Sequence, residues 1–431
     1  MGTKLERIAE ISAEAKKPVF TSLYHLINAD LLKQCHKKLD GKKAVGVDRV
    51  TKEEYEKNLD RNIEDLVRRL KNKSFKPLPS LRVYIPKGNG KMRPLGIACY
   101  EDKIVQMAVK KVLEAIYEPR FLSCMYGFRP QRGCHEAVRE VYQRISYGKM
   151  SYIVDADIKG FFDHIDHDWM MRFLEWHIKD PNLLWLIRKY LKAGIMEEGR
   201  FEATEEGSAQ GSVMSPILAN IYMHNVLTLW FKFVVKETVR GECFLVNFAD
   251  DFVTGFQYKS DAEWYYTALR ERMEKFNLEL ENSKSRLIEF GRFAEGNRKS
   301  RGGGKPETFD FLGFTFYCSR TRKGAFCVKL QTFRKKFERK LKEYKQWIYD
   351  NRNRPVKEII KELNVKLVGH YRYYGVTTNY RKLSAFLHRV QQFLCKAMNR
   401  RGCRRAYTWR GFVEMLKYYP LAKPKTYYSL Y

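Results

Sequence analysis

The sequence lacks the features of a disulfide-stabilised or membrane-embedded protein. Its nine cysteines are odd in number and include no Cys-x-x-Cys pair. Neither a disulfide framework nor a zinc site is therefore indicated, and reduced intracellular thiols are the simplest interpretation. No apolar run is long enough to span a bilayer, and the segment from Met1 to Arg7 lacks the apolar core of a signal peptide. We expect a cytoplasmic location, including association with the nucleoid, and no membrane partner.

Acidic residues are scarce relative to basic ones. The chain has 81 Lys and Arg residues against 50 Asp and Glu residues, a formal net charge of +31. From residue 320 to the end, 29 basic and 6 acidic residues give +23, which leaves +8 for the first 319 residues. Such an excess indicates a polyanionic partner, nucleic acid in preference to a membrane surface, and the last quarter of the chain carries most of it.

Two adjacent acids interrupt an apolar stretch between Phe244 and Phe256. The flanks are rich in aromatic and β-branched residues and predict two strands, so Asp250 and Asp251 occupy the turn of a hairpin. Two carboxylates at one tip repel each other, and a divalent cation such as Mg²⁺ would neutralise them. The alternative is an Asx-type turn, because Asp is common in turns.

A second acidic strand precedes this hairpin. Alternation along Tyr152 to Asp163 puts Asp155 and Asp157 on one face. A buried acid is costly unless it is paired or metal-bound. If the two strands are neighbours, Asp157, Asp250 and Asp251 could hold two divalent metals, which is the arrangement used for displacement at phosphorus. A nuclease could use similar carboxylates, but the nearby cations and aromatic residues favour a polymerase.

Basic side chains lie at two further places. Lys87 and Arg93 flank a Gly-containing hairpin turn and suit a triphosphate, although a solvated basic hairpin is the better explanation when this segment is taken alone. Arg129 and Arg132 follow Tyr126 in a loop that suits a nucleic-acid backbone with stacking rings. The alternative for this loop is packing, with Arg covering apolar surface.

Eight motifs in order carry a resemblance to a known family. They are IPKGNGKMRPLGI from Ile85, YGFRPQRG from Tyr126, VDADIKGFFDHIDH from Val154, SAQGSVMSPILANIYMH from Ser208, NFADD from Asn247, LELENSKSR from Leu278, TFDFLGFTFY from Thr308 and GHYRYYGV from Gly369. Each alone is weak, but the ordered series is specific. The chain resembles the reverse transcriptases encoded by bacterial group II introns.

The resemblance implies an α+β right-hand polymerase: fingers, a palm with an antiparallel sheet, and a helical thumb. Residues 1–150 would hold the fingers with an N-terminal extension and the start of the palm, 151–318 the palm with finger elements, and 319–431 the thumb. The loss of the family's optional endonuclease domain is also expected. The chain would be an RNA-directed DNA polymerase that uses an RNA template, a DNA primer, dNTPs and two Mg²⁺ ions, with Mn²⁺ as a substitute.

The same resemblance assigns roles to individual residues. Asp157, Asp250 and Asp251 would be the catalytic metal ligands. Lys87 and Arg93 would contact the triphosphate, Phe162 would exclude a ribose 2′-hydroxyl, Gln210 would line the nucleotide pocket, and Lys284 would lie near the pyrophosphate as a general acid. Phe311 and Gly313 would support the primer end, and His370 and Tyr371 would contact nucleic acid.

Three functions remain open at this stage. The first is a polymerase that also assists splicing by binding group II intron RNA. The second is an RNA-binding splicing cofactor with an idle polymerase, and the third is a related polymerase reassigned to phage defence or DNA repair. Asn247, where the family commonly has Arg, removes one cation near the primer and keeps the third alternative open. The oligomeric state is not indicated by the sequence.

Overall fold

The structure, a computed structural model, describes residues 2–86, 92–197, 200–203, 206–207, 211–401 and 407–431. Helices and strands both contribute, so the fold class is α+β. The α-helices are α1 (Gly2–Glu14), α2 (Ala29–Lys38), α3 (Lys52–Glu56), α4 (Leu59–Lys71), α5 (Tyr100–Tyr117), α6 (Cys134–Tyr147), α7 (His167–Glu175), α8 (Pro181–Leu191), α9 (Ser215–Met223), α10 (Lys236–Thr238), α11 (Lys259–Glu274), α12 (Ala294–Ser300), α13 (Arg334–Asp350), α14 (Val356–Tyr374), α15 (Tyr380–Met398) and α16 (Trp409–Tyr418).

The strands form three sheets. They are β1 (Ser80–Pro86), β2 (Met92–Ile97), β3 (Tyr152–Ala156), β4 (Ile195–Glu197), β5 (Arg200–Glu202), β6 (Cys243–Phe248), β7 (Asp251–Phe256), β8 (Arg286–Glu289), β9 (Phe309–Phe311), β10 (Phe314–Arg320) and β11 (Phe326–Thr332). The first sheet has the order β2-β1-β4-β5, the second β6-β7-β3-β8 and the third β11-β10-β9. We call the second one the acidic sheet, because the predicted catalytic acids lie at its edge.

The N-terminal region is helical. Thr51 caps α3 through a capping box, in which its side chain accepts the Glu54 backbone N–H and the Glu54 carboxylate accepts the Thr51 N–H. Helices α1 and α2 pack on α5, which is buried along most of its length. Strands β1 and β2 pair in an antiparallel hairpin, and residues 87–91 between them lie outside the described residues.

The acidic sheet is antiparallel throughout and lies between two hydrophobic cores. Successive side chains of a strand point to opposite faces. Val154 and Phe252 accordingly belong to a core shared with α5, α7, α9 and α11, whereas Ile153 and Val253 belong to a core shared with α6 and the C-terminal helices. Each face of the sheet is therefore covered.

The C-terminal helices share this second core. A two-residue turn at Leu312 and Gly313 connects β9 to β10, with φ values of +47° and +84°. Residues of α13, α14 and α15 complete the core, and Leu430 near the chain end is buried in it. The core therefore crosses the predicted boundary at residue 319, and the three-domain division stays a prediction. Among the described helices, none combines the length and apolar character needed to cross a membrane.

Candidate active site

The acidic sheet brings the three predicted acids to one edge. Strands β3 and β7 pair with Ala156 opposite Phe252. Asp157 follows Ala156 and Asp251 precedes Phe252, so these two acids are level on neighbouring strands. Asp250 lies in the two-residue turn before Asp251, because Phe248 pairs with Asp251 across the hairpin. The predicted hairpin and the predicted neighbouring strand are both present.

The turn before Asp250 is held in an unusual conformation. Ala249 has a φ of +58°, a region that residues with a side chain rarely adopt. The Asn247 side-chain amide donates to the Ala249 carbonyl at 2.7 Å, and Asn247 itself is 0% exposed. Asn247 therefore has a structural role in this turn, which the sequence did not indicate.

The YGFRP loop supports the same turn. The backbone N–H of Tyr126 donates to the Asn247 carbonyl, and the N–H of Asn247 donates to the Cys124 carbonyl, both at 2.8 Å. A Cβ on Gly127 would lie 2.4 Å from the backbone nitrogen of Ala249, so only glycine allows this approach. The Asn220 amide of α9 donates to the Gly127 carbonyl at 2.8 Å. The backbone of this loop therefore supports the acidic turn.

Arg129 and Arg132, the two residues of this loop that are predicted to contact nucleic acid, lie in different surroundings. The Arg129 guanidinium is buried, pairs with Glu118 and donates to the carbonyls of Leu122 and Met125. The packing alternative is therefore the right one for Arg129, because its donors are used inside the protein. Arg132 is half-buried, donates to Ser123 and lies over the Tyr126 ring, so its contact with nucleic acid stays a prediction.

Mutual repulsion and burial perturb the clustered acids. Burial, and then the charges of Asp250 and Asp157, raises the pKa of Asp251 to about 6. Burial is also the largest cause of the raised pKa of Asp250, followed by the Asp157 charge. The Asp251 side chain is nevertheless open to solvent, so a ligand can reach it. Such a site favours a cation.

Lys284 partly compensates this negative charge. Lys284 precedes β8, the strand that pairs with β3 on the side away from β7. Its ammonium group forms an ion pair with Asp157. The hydrogen bond that Lys284 donates to the Asp157 carboxylate is the largest cause of the raised pKa of Lys284. Ser285 Oγ also accepts the Asp157 backbone N–H at 3.3 Å. Among the described residues, no group of three or more His, Cys, Asp or Glu side chains is already arranged to hold a metal ion.

A further acid, Asp155, lies on β3 shortly before Asp157. Asp155 faces Arg286 across β3 and β8, with 3.9 Å between their charged atoms. Burial raises the pKa of Asp155 to about 7, and Arg286 opposes this shift. The sequence pattern placed Asp155 beside Asp157, and the structure gives it this separate cationic partner.

A cavity of about 250 Å³ lies beside the β1–β2 hairpin. It is lined by residues of the β1–β2 hairpin and by Gln106, Phe162, Gly207 and Ser212. Phe162 is half-buried and packs edge-on against Phe161 at 5.4 Å. Arg93 is exposed on β2, and its charge lowers the pKa of Asp250, which places it near the acidic turn. Lys87 and Gln210 lie outside the described residues.

The β9–β10 turn is linked to the acids through Lys336. Gly313 lies against Lys336 and Tyr374, since a Cβ on Gly313 would lie 3.2 Å from Lys336 Nζ. The Lys336 charge lowers the pKa of Asp251, and the Tyr373 hydroxyl donates to the Leu312 carbonyl at 2.9 Å. Phe311 is buried, so its predicted support of the primer end would be indirect.

The direct nucleic-acid contact predicted for Tyr371 does not fit its position. Tyr371 is 0% exposed and belongs to the second core. His370 is 7% exposed, and its ring stacks on Phe386 with 4.0 Å between centroids. His370 also lines a basic groove between α13 and α14, where it contributes only to the surface of the groove. Helix α14 buries the face that carries both residues.

The comparisons with known proteins agree with this arrangement. The chain is 39% identical over 235 residues to the group II intron-encoded protein LtrA of Lactococcus lactis subsp. cremoris, which covers 53% of this chain and 39% of that protein. It is 38% identical over 182 residues to protein YkfC of Escherichia coli K12, covering 42% of this chain and 48% of that protein. It is 32% identical over 93 residues to nuclear intron maturase 1, mitochondrial, of Arabidopsis thaliana, covering 22% and 13%.

The chain therefore spans less than half the length of these relatives. A family model described as reverse transcriptase (RNA-dependent DNA polymerase) matches residues 85–316. This match includes the acidic sheet, the cavity and the β9–β10 turn. It covers more than half of the chain, and the chain belongs to the reverse transcriptase family.

Proposed function

We propose that this chain is an RNA-directed DNA polymerase that extends a DNA primer on an RNA template. The observation that carries the proposal is the convergence of Asp157, Asp250 and Asp251 at one edge of the acidic sheet. The cavity lined by Phe162 and the β1–β2 hairpin would take the nucleotide, and the Gly313 turn, which lies against Lys336 and Tyr374, would support the primer end.

The right-hand description belongs to this proposal. The acidic sheet with its helices would be the palm, the β1–β2 hairpin and N-terminal helices would be the fingers, and residues from about 319 would be the thumb. Lys336 of α13 lies against Gly313 and Tyr373 of α14 donates to the Leu312 carbonyl, so both helices contact the β9–β10 turn, which supports this description.

The acidic residues suit two divalent cations. Asp157, Asp250 and Asp251 would hold Mg²⁺, or Mn²⁺ as a substitute, because hard cations prefer carboxylate oxygens. Burial, and after it the neighbouring carboxylates, raises the pKa of Asp250 and of Asp251, and a bound cation would favour their ionised forms. Bound cations of this kind neutralise phosphate charge and activate a hydroxyl nucleophile.

The other side chains would bind and orient the reactants. Arg93, with Lys87, would pair with the triphosphate, and the Phe162 ring would abut the sugar. Lys284 is held at the acids by Asp157. Its raised pKa keeps it protonated, so it could donate a proton to the departing pyrophosphate.

We also propose that the chain binds group II intron RNA and assists its splicing. The similarity to LtrA supports this, since that protein is named as group II intron-encoded. The basic groove between α13 and α14 has a volume of about 480 Å³ and is lined by Lys336, Arg339, Lys340 and Lys366. Lys366 also lies over the Trp347 ring at 5.0 Å, so the groove presents both charge and aromatic surface to an RNA backbone.

Primer extension on an RNA template with dNTPs and Mg²⁺ tests the polymerase. We expect Asp250→Asn and Asp251→Asn each to abolish synthesis, because the amide removes the ionised oxygen that a cation needs. Binding of RNA should be kept, since most of the basic charge is elsewhere. Asp60→Asn, at an 80% exposed side chain on α4, is the matched control. Extension at the wild-type rate by either acidic-turn variant would refute the assignment.

A further inference from the structure

One histidine lies between the acidic sheet and the C-terminal helices. His135 is in the first turn of α6, shortly after the YGFRP loop that supports the acidic turn. Helix α6 packs on β6 of the acidic sheet and on β11 of the third sheet. The His135 side chain is half-buried, and its ring contacts Tyr373 of α14 and Tyr428 near the end of the sequence. It therefore connects the sheet that carries the acids to a helix that reaches the β9–β10 turn.

His135 is hydrogen-bonded to the C-terminal end of α14. Its Nε2 lies 2.7 Å from the Tyr373 carbonyl oxygen, and it must carry the hydrogen because a carbonyl only accepts. Tyr373 lies in the last turn of α14, where the carbonyls have no partner within the helix. The two rings also contact each other edge-on, with 5.6 Å between their centroids. His135 thus supplies a donor that the helix cannot supply, and this bond fixes the end of α14 relative to α6.

The side chain of the same tyrosine contacts the β9–β10 turn. Tyr373 Oη donates to the Leu312 carbonyl at 2.9 Å. The Tyr373 ring stacks on Phe314, the first residue of β10, with 6.1 Å between centroids. The N–H of Phe333, just before α13, donates to the Gly313 carbonyl at 3.0 Å. Both carbonyls of this two-residue turn are therefore held, one by the start of α13 and the other by Tyr373.

Tyr428 fixes the orientation of the His135 ring. The two rings stack with 3.7 Å between centroids and 10° between planes. The backbone N–H of Tyr428 donates to the carbonyl of Gly375, just after α14, at 3.0 Å. Tyr428 thus connects the same two helices as the His135 bond, and the stacking keeps the ring in the plane in which Nε2 meets the Tyr373 carbonyl.

We propose that His135 is a positioning residue that sets the β9–β10 turn, and with it the primer end, relative to the acids. The inference rests on the proposed function and deepens it. The acidic turn is connected to α6 through the YGFRP loop, whereas the β9–β10 turn is connected to α6 through Tyr373 and His135. The distance between the two turns therefore depends on the hydrogen bond that His135 donates.

Single-nucleotide incorporation on an RNA template, at saturating primer–template, separates kcat from the KM for dNTP. His135→Phe keeps a ring for Tyr428 and removes the donor. Misplacement of reacting groups by about 1 Å can cost about 100-fold in rate, and we expect a smaller shift here that lowers kcat by about tenfold. The KM for dNTP should not change, because none of the described residues that line the cavity belongs to α6 or α14. His135→Gln restores a donor and should recover most of the kcat.

A double-mutant cycle tests whether His135 acts through Tyr373. Tyr373→Phe removes only the hydroxyl that donates to Leu312, and it should lower kcat by a similar factor. If His135 acts on the turn through this hydroxyl, the variant that carries both substitutions should be about as slow as the slower single variant. Two independent contributions would instead multiply.

His177→Phe is the matched control for the loss of a histidine bond to a backbone carbonyl. His177 lies between α7 and α8 and is half-buried, and its Nδ1 lies 2.9 Å from the Pro18 carbonyl oxygen. Its ring contacts Tyr117 edge-on at 5.7 Å, so it makes the same kinds of contact as His135. We expect this variant to lower the melting temperature and to keep the wild-type kcat.

The outcomes separate the inference from the proposed function. If the wild-type chain incorporates no nucleotide, the proposed function fails and this inference fails with it. If the wild type is active and His135→Phe lowers only the melting temperature, as His177→Phe does, the positioning role alone is wrong. It is also wrong if the effects of the two single variants on kcat multiply. Should His135→Phe not fold, an unchanged kcat in folded Tyr373→Phe overturns the proposal, and a lower kcat with an unchanged KM supports it.

Discussion

Gly127→Ala is expected to disable catalysis by moving the acidic turn. The added Cβ would lie 2.4 Å from Ala249 N and 2.9 Å from the Phe248 carbonyl carbon. Both are backbone atoms, so no side-chain rotation relieves the overlap. Ordinary contacts with a Cβ lie beyond 3.4 Å, and the turn or the loop must therefore move by about 1 Å.

The size of the effect follows from this displacement. Overpacking of a tight contact costs about 1–3 kcal/mol of folding free energy. Misplacement of catalytic groups by about 1 Å can lower the rate by about 100-fold. The bonds from Asn247 and Asn220 hold the turn and the loop in place, so the strain is transmitted to Asp250 and Asp251.

The assay is primer extension together with thermal unfolding and RNA binding. We expect kcat to fall by about 100-fold while RNA affinity stays the same, since most of the basic charge lies in the last quarter of the chain. Gly296→Ala in α12 is the control, because a Cβ there meets nothing within 4 Å. If Gly127→Ala kept the wild-type kcat, the loop could not be a brace for the turn.

Three further outcomes are expected. Phe162→Val should admit ribonucleotides in primer extension, and unchanged discrimination between dNTP and rNTP would contradict the role of its ring. Burial raises the pKa of Asp102 to about 7, so protonated Asp102 stabilises the fold at low pH, and this contribution is lost as the pH rises through 7. The melting temperature of the wild type should therefore fall relative to that of Asp102→Asn between pH 5.5 and 8, and a constant difference would refute this. Arg339→Gln and Lys366→Gln should each lower the log–log salt slope of RNA binding by about 0.9, and an unchanged slope would exclude phosphate contacts by these two residues.

The acidic hairpin was predictable because its signal is local. Asp250 and Asp251 stand between two runs of strand-forming residues, and Asp157 ends a third run. The pairing of β3 with β7 follows once both strands cover a common core. The capping box at Thr51 was predictable for the same reason, since both partners lie three residues apart.

The partners of isolated polar residues were not predictable in this way. Arg129 and Asn247 look like surface residues in the sequence, yet their partners Glu118 and Ala249 are fixed only by the folded loop. The hydrogen bond from His135 to the Tyr373 carbonyl joins positions more than two hundred residues apart. No local sequence pattern indicates a contact between residues so far apart in the chain.

The burial of Tyr371 did leave a signal in the sequence. Leu363, Leu367, Tyr371 and Tyr374 recur at intervals of three or four, which is the spacing of one helical face. The family resemblance assigned a nucleic-acid contact to His370 and Tyr371 in the GHYRYYGV segment, but the helical period of α14 predicts a core position. The helical period predicted burial better, because burial depends on which face of the helix a residue occupies and not on the composition of the segment.

The two cores meet at the strand that carries Asp251. Phe252 packs in the first core, which also contains residues of α5 and α7. Val253 packs in the core that α13 and α14 complete. Asp251 directly precedes Phe252 on β7, and the charge of Lys336 on α13 lowers its pKa. Asp157 follows β3 and is tied instead to Ser285 and Lys284, which precede β8. We therefore expect a displacement of either core to move Asp251 relative to Asp157.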